Sequence, residues 1–254
     1  MAAQYELLKE LLNSGTKLSF GQDFFFKFYQ AFLLKDRWMQ YINGVGTTLL
    51  VTALALALGI VLGSVVALVR VAHDQQRPGR RNPVLGVFNA VCQVYTTVIR
   101  GTPMMVQLLI MSMVIFNNSR NFTMVGALAL GINSGAYVAE IIRAGIQAVD
   151  KGQMEGARSC GMTNAQAMRY VVMPQAVKNI LPAIGNEFVT MVKETSIIQY
   201  LGIGDLMYNN GIVVTSTYNP LPCYYISAII YLALNIILGK GLNIFEGRLR
   251  RSER

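Results

Sequence analysis

The chain has 254 residues, of which 53% are hydrophobic and only 14% charged, and its mean hydropathy is +0.41. Soluble domains carry about 25% charged residues, so this chain lacks the polar coat that soluble domains of its length need. Its net charge is nevertheless +9, from 22 Lys and Arg against 13 Asp and Glu. With no dense basic surface, that charge excludes a nucleic-acid binder and marks the orientation of a membrane protein. Cys92, Cys160 and Cys223 stand far apart, which is neither a disulfide framework nor a zinc site, and no metal-ligand spacing occurs. The single His73, set among Asp74, Gln75 and Arg77, reads as a solvated loop residue.

Residues 1–40 lack the basic start and the apolar core of about 7–15 residues that make a cleavable signal peptide. Phe24, Phe25, Phe28, Phe32 and Leu33, interleaved with Asp23, Lys27 and Lys35, predict an amphipathic helix. It either lies in the membrane interface or packs on the rest of the chain. A bilayer crossing takes about 20 apolar residues, and five stretches qualify: Gly44–Val69, Val84–Phe116, Phe122–Val149, Val177–Ile203 and Leu221–Leu238. The expected fold is an all-α membrane protein, with residues 1–40 as an extracytoplasmic or interfacial segment. Residues 41–241 form the five-span domain, with a long loop at about 150–175, and 242–254 a basic tail.

Lys and Arg bias in short loops sets orientation. Arg70, Arg77, Arg80 and Arg81 follow the first span; Arg143, Lys151, Arg158, Arg169 and Lys178 follow the third; Lys240, Arg248, Arg250, Arg251 and Arg254 follow the fifth. The opposite connections hold Arg120 and no other basic residue. The C-terminus is therefore placed in the cytoplasm and the N-terminus outside, although Lys9, Lys17, Lys27, Lys35 and Arg37 run against the rule.

Ionisable groups inside a membrane are costly and mark candidate sites. Along the second span, Asn89, Gln93, Thr96 and Arg100 recur on one helix face, lining a wet path or lying flat on the interface. The span is broken at Gly101-Thr102-Pro103, where Thr102 suits a helix N-cap and Pro103 the first helical position. Such a restarted helix offers free N–H groups to an anion, or it merely kinks. In the third span Asn133, Tyr137 and Glu140 share a face. Glu140 either reads a cationic solute or pairs with Arg143 one turn on. Lys193 and Glu194 sit inside the fourth apolar stretch and, being adjacent, cannot face one another.

The loop after the third span is the most specific feature. Gly161 suits the end of a short helix, and Thr163 with Gln166 is a capping-box pattern for the next. The result is a polar helix–turn–helix, suited to docking on another protein.

In this loop the sequence resembles the permease subunits of bacterial ABC importers, specifically the polar amino-acid branch. The signature loop of that family reads here as Glu155-Gly156-Ala157, then Gly161, with Val171-Val172-Met173-Pro174 further on. Gly156 and Met173 replace the usual Ala and Leu. The branch is marked further by Arg100-Gly101-Thr102-Pro103 with Gln107, by Asn133-Ser134-Gly135-Ala136-Tyr137-Val138-Ala139-Glu140, by Gly152-Gln153, and by Lys193-Glu194-Thr195-Ser196. The likeness runs from Gly44 to the C-terminus and leaves out residues 1–40.

The resemblance implies the type I importer permease fold of five transmembrane helices, paired with a second permease subunit, identical or different, above two ATP-binding cassette subunits. It implies a bacterial inner-membrane location, an extracytoplasmic amino-acid-binding protein, and an amino acid as substrate. It places Gln153, Glu155, Gly156, Ala157, Arg158 and Gly161 on a coupling helix that fits the ATPase. It places Asn133 and Glu140 at the solute path, and Thr102, Gln107, Ser134, Tyr137, Lys193 and Glu194 are further candidates for contact with the solute. The chain has no Gly-rich loop ending in Gly-Lys-Ser/Thr, so it is no enzyme by itself and needs no cofactor; ATP and magnesium belong to the partner. A sensor or scaffold that docks an ATPase without moving solute is the alternative.

Overall fold

The computed structural model describes residues 1–76 and 82–251, with no strand among them. Arg77, Arg80, Arg81 and Arg254, read above as orientation markers, lie outside the described residues. The chain divides into two compact units, Met1–Leu50 with Thr195–Ile236 and Val51–Glu194 with Ile237–Arg254. Eleven α-helices occur in order among the described residues: α1 Ala2–Asn13, α2 Phe20–Phe28, α3 Arg37–Asp74, α4 Pro83–Gly101, α5 Met104–Ile110, α6 Phe122–Gln147, α7 Lys151–Ser159, α8 Asn164–Ala167, α9 Met173–Glu194, α10 Leu206–Thr217 and α11 Pro220–Arg251.

Three helical stretches among the described residues, Phe20–Asp74, Phe122–Gln147 and Pro220–Leu249, are long and apolar enough to cross a membrane. A fourth is added if α4 and the stretch Met104–Ile115, bent by 109° at their junction, count as one span. The expected fourth span begins in α9. That helix carries Lys178, Glu187, Lys193 and Glu194 among its apolar residues, which makes it amphipathic rather than uniformly apolar.

In the first unit, the helical hairpin of α1 and α2 is held by aromatic stacking. Tyr5 lies 4.9 Å from Phe26 and 4.8 Å from Tyr29 between ring centroids. Of the two purposes considered for the Phe stripe, packing on the rest of the chain is present for part of it. Phe28 and Phe32 pack on a core of Tyr41, Leu206, Val213, Cys223 and Ile226, while Phe20 and Phe24 are exposed. Asp205 caps α10 by accepting from the N–H groups of Tyr208 at 2.9 Å and Met207 at 3.3 Å.

The second unit is organised around α6, whose buried residues are mostly Gly, Ala and Ser. Ala55, Gly59 and Gly63 repeat every four residues on α3, as do Ala127, Gly131, Gly135 and Ala139 on α6. Small residues at that interval let two backbones approach closely. A Cβ at Gly63 would stand 2.8 Å from the Gly135 carbonyl oxygen and from Val138 Cβ. On the same unit, Ile142 and Ile146 of α6 pack with Ala176 and Ile180 of α9 and with Ala67.

Two readings of the basic loop after the first span are corrected here. His73 lies in the last turn of α3 with its side chain 17% exposed beside Asp74, so it is not a solvated loop residue. Arg70 lies inside α3 and is engaged by a carboxylate. The helix continues past the apolar run, and both side chains fall on its packed side.

Candidate functional site: a polar cavity beside α6

Glu140, on α6, is gripped from two sides. Its Oε2 accepts from Arg143 Nη2 at 2.7 Å and Nε at 3.1 Å, and its Oε1 accepts from Arg70 of α3. The Arg70 and Glu140 side chains are only 17% and 20% exposed. Two guanidiniums against one carboxylate leave this cluster with a net positive charge. Of the alternatives posed for Glu140, the i,i+3 pairing with Arg143 is present, and Arg70 adds a second partner that lies far away in sequence.

Beside this cluster is a cavity of about 300 Å³ lined by Arg70, Gln93, Thr96, Thr97, Arg100 and Glu140. Every lining residue is polar or charged, in a part of the chain where α4 turns Val84, Val87, Val91 and Val94 outward. Gln93, Thr96 and Arg100 of the polar stripe of the second span therefore line the cavity, and Asn89 is buried apart from its lining. Arg100 forms no ion pair among the described residues; its guanidinium stands 5.3 Å from the centroid of the Tyr137 ring. A cation held over an aromatic face keeps its N–H edge available to an anion.

The helix break at the end of α4 is tied to α6 by one amide. Gln107 Nε2 lies 2.7 Å from the Ile99 carbonyl, 2.7 Å from Thr102 Oγ1 and 3.1 Å from the Thr102 carbonyl. Its Oε1 accepts from Asn133 Nδ2 at 2.9 Å. Thr102, Gln107 and Asn133 thus meet, but they satisfy one another. Thr102 is not the N-cap of the restarted helix: Pro103 holds that position. The residue before a proline is pushed to extended geometry, and the Thr102 hydroxyl turns back to donate to the Val98 carbonyl at 2.8 Å.

Ser134 points elsewhere. It is 1% exposed, and its hydroxyl donates to Glu187 Oε1 of α9 at 3.2 Å. Lys193 and Glu194 are exposed at the C-terminal end of α9. Arg70 was missed as a site residue, and Glu187 as the partner of Ser134. Arg70 was hidden by its place at the end of an apolar run. Glu187, a carboxylate inside a stretch read as a span, carried a usable signal under the cost of intramembrane charge.

The loop has the expected helix–turn–helix form. Asp150 caps α7 by accepting from Gly152 N–H at 2.6 Å. At its other end, Gly161 at φ +87° donates to the Arg158 carbonyl and Met162 to that of Ala157, the bond pair of a Schellman cap. Thr163 and Gln166 form the capping box that opens α8. Gln153, Glu155, Gly156, Arg158 and Gly161 are exposed. Ala157 is 9% exposed and faces inward, so it supports the helix from beneath. A groove of about 610 Å³ beside α7 is lined by Met154, Met168 and Val172 together with Asp74, Lys151 and Arg158.

Residues 84–251 match the model of the family described as "Binding-protein-dependent transport system inner membrane component". The chain is 37% identical over 226 residues to the Bacillus subtilis protein named "Probable glutamine ABC transporter permease protein GlnM", covering 87% of this chain and 98% of the relative. It is 37% identical over 202 residues to the Bacillus subtilis "Arginine transport system permease protein ArtQ", covering 78% and 86%. A crystal structure of an amino acid ABC transporter with histidines contains a chain that superposes with a TM-score of 0.74 at 44% identity, covering 82% of this chain and 94% of that one.

Proposed function

This chain belongs to the family of binding-protein-dependent transport system inner membrane components, and on that premise we propose that it is the transmembrane permease subunit of an ATP-driven amino-acid importer. The cavity carries this reading, being lined by polar and charged residues only, Arg70, Gln93, Thr96, Thr97, Arg100 and Glu140, beside a helix apolar enough to span a membrane. Arg100, free of carboxylate partners among the described residues and braced by Tyr137, is suited to the carboxylate that every amino acid carries. Glu140 holds Arg70 and Arg143 in place at the cavity wall. Thr102, Gln107 and Asn133 keep the broken helix in register beside it. The relatives named for glutamine and for arginine transport support amino acids as the solute class.

In this reading five spans cross the membrane, counting the bent pair α4–α5 and the amphipathic α9, with the N-terminus outside and the C-terminus in the cytoplasm. The chain pairs with a second permease subunit, receives solute from an extracytoplasmic binding protein, and sits on two ATP-binding cassette subunits. The α7 helix, with Gln153, Glu155, Gly156, Arg158 and the Gly161 turn exposed, is the contact with the ATPase. ATP-driven closure of the ATPase pair moves α7, and the spans rock to expose the cavity to one side and then the other.

The test is reconstitution of the whole complex in liposomes with labelled arginine and glutamine. ATP-dependent uptake is expected. A complex that binds its ATPase yet moves neither solute nor any other amino acid would leave the scaffold reading in its place. For coupling, Glu155→Ala is expected to abolish solute-stimulated ATP hydrolysis with insertion intact. Stimulation equal to the parent chain would remove α7 as the coupling element.

A further inference from the structure

Lys151, Met154 and Arg158 recur at intervals of three and four residues on α7 and therefore share one face of that helix. All three line the groove of about 610 Å³ beside it. The floor of the groove is apolar, made by Val71, Ile146, Met154, Met168 and Val172, which belong to the core between α6 and α9 or pack against it. Methionine side chains on such a floor adapt to irregular apolar partners. The rim is charged. Lys151 and Arg158 are exposed and form no ion pair among the described residues. Asp74 is the one carboxylate among the described lining residues, 3.6 Å from His73 Nδ1. Two cations against one carboxylate leave the groove net positive.

An apolar track leads into this groove. On α3, Val61, Val65, Leu68 and Ala72 are exposed and fall on one face. Gln75, one turn further on and just past the helix end, lies in the groove itself. At about 1.5 Å per residue the track over residues 61–72 is about 16 Å long, close to the hydrocarbon depth of one leaflet, half of about 30 Å. Two helices apolar enough to span a membrane end here, α3 at Asp74 and α6 at Gln147, and both residues line the groove. The groove thus stands where hydrocarbon gives way to headgroups.

We propose that the groove holds the headgroup of an anionic phospholipid, with one acyl chain laid along residues 61–72 of α3. Lys151 and Arg158 meet the phosphate, as basic pockets between spanning helices do for lipid headgroups. Asp74 and Gln75 accept from headgroup hydroxyls, and the floor of Met154 and Met168 covers the glycerol backbone. A headgroup with a single negative charge matches the net positive rim, whereas a zwitterionic one leaves it unmatched. The bilayer itself then holds α7 against the ends of two spans. The proposal requires that α3 and α6 cross a bilayer and goes beyond the importer reading without depending on it.

The experiment titrates phosphatidylglycerol into the full chain, purified and delipidated in detergent, and counts bound lipid by native mass spectrometry. Saturable binding of a single phosphatidylglycerol per chain is expected, with phosphatidylcholine weaker. Lys151→Gln removes one cation at an exposed position and is expected to raise the Kd about fivefold, the effect of one basic group near a lipid surface. Lys151→Arg should keep the parent value. Leu68→Gln, on the acyl track and apart from the charged rim, should weaken the lipid as well, with size-exclusion profiles unchanged. Equal affinity for the two lipids, binding without saturation, or parent-like binding in Lys151→Gln overturns the proposal. Parent-like binding in Leu68→Gln, together with displacement of the lipid by free glycerol phosphate at equal concentration, overturns the lipid as the source of the phosphate.

Discussion

Helices α6 and α7 are consecutive in the chain but keep their shapes by opposite means. In α6 the backbone of a neighbouring helix lies so close that glycine is needed at the contact, and a charged residue survives only because two arginines surround it. In α7 the caps are local: Asp150 closes the start, Gly161 turns the end, and Gly156 faces open space, with nothing within 4 Å of an added Cβ. One helix is specified by what packs on it and the other by its own ends. The same substitution should therefore have opposite outcomes in the two places.

The largest effect is expected at Glu140. Glu140→Ala leaves Arg70 and Arg143 beside one another without their shared carboxylate; for this half-buried cluster the cost falls between ~1 kcal/mol for an exposed pair and about 3–5 kcal/mol for a fully buried one. Thermal unfolding in detergent should show a clear loss for Glu140→Ala and a smaller one for Arg70→Ala, since Arg143 still holds the carboxylate in the latter. A Glu140→Ala protein as stable as the parent would mean that the cluster does not hold the wall of the cavity. Next comes Gly63→Val. Overpacking of a close seam costs about 1–3 kcal/mol, and here the obstacle is the backbone of Gly135 at 2.8 Å, which cannot rotate away. A Gly63→Val chain with unaltered melting would break the claim that α6 is specified by close approach. At the end of α7, Gly161→Ala forces a non-glycine residue to φ +87°, a cost of about 1–2 kcal/mol. Partial fraying of the turn between α7 and α8, seen as faster amide exchange at Met162 and Thr163, is the expected readout.

The contrast between the two helices also explains what could be read before the structure. The α7–α8 turn was legible because its determinants are contiguous: Gly161, Thr163 and Gln166 announce a C-terminal turn and a capping box within six residues. The break at Thr102-Pro103 was legible for the same reason, although the Thr102 hydroxyl bonds backward to Val98 instead of forward into α5. The helical stretches apolar enough to span were visible as runs, but α9 shows that an amphipathic helix and a span are hard to separate by apolar length. The Glu140 site was only half legible. Arg143, one turn away, follows from helix geometry, whereas Arg70 is 70 residues distant and comes into range only when α3 packs on α6. The pairing of Ser134 with Glu187, 53 residues apart, is of the same kind. The four-residue repeats of Gly and Ala on α3 and α6 were present in the sequence, and their meaning appears only when both helices are placed side by side.

The smallest expected effect is the most discriminating for α7. Gly156 stands in the middle of a short, exposed helix, where glycine is less favourable than alanine by about 1 kcal/mol. Gly156→Ala adds a methyl group that meets no atom within 4 Å and should raise helix stability by a few tenths to about 1 kcal/mol. The relevant measurement is paired: melting of the subunit alone, and solute-stimulated ATP hydrolysis of the reconstituted complex. Alanine should be tolerated in both, because the outer face formed by Glu155, Gly156 and Ser159 gains only a small apolar contact. A bulkier Gly156→Trp should leave the subunit equally stable while weakening its hold on the ATPase. That split separates an α7 shaped by its own caps and used as a docking face from one packed like α6. If Gly156→Trp destabilises the isolated subunit as much as Gly63→Val does, the two helices are not held by different means and the distinction fails.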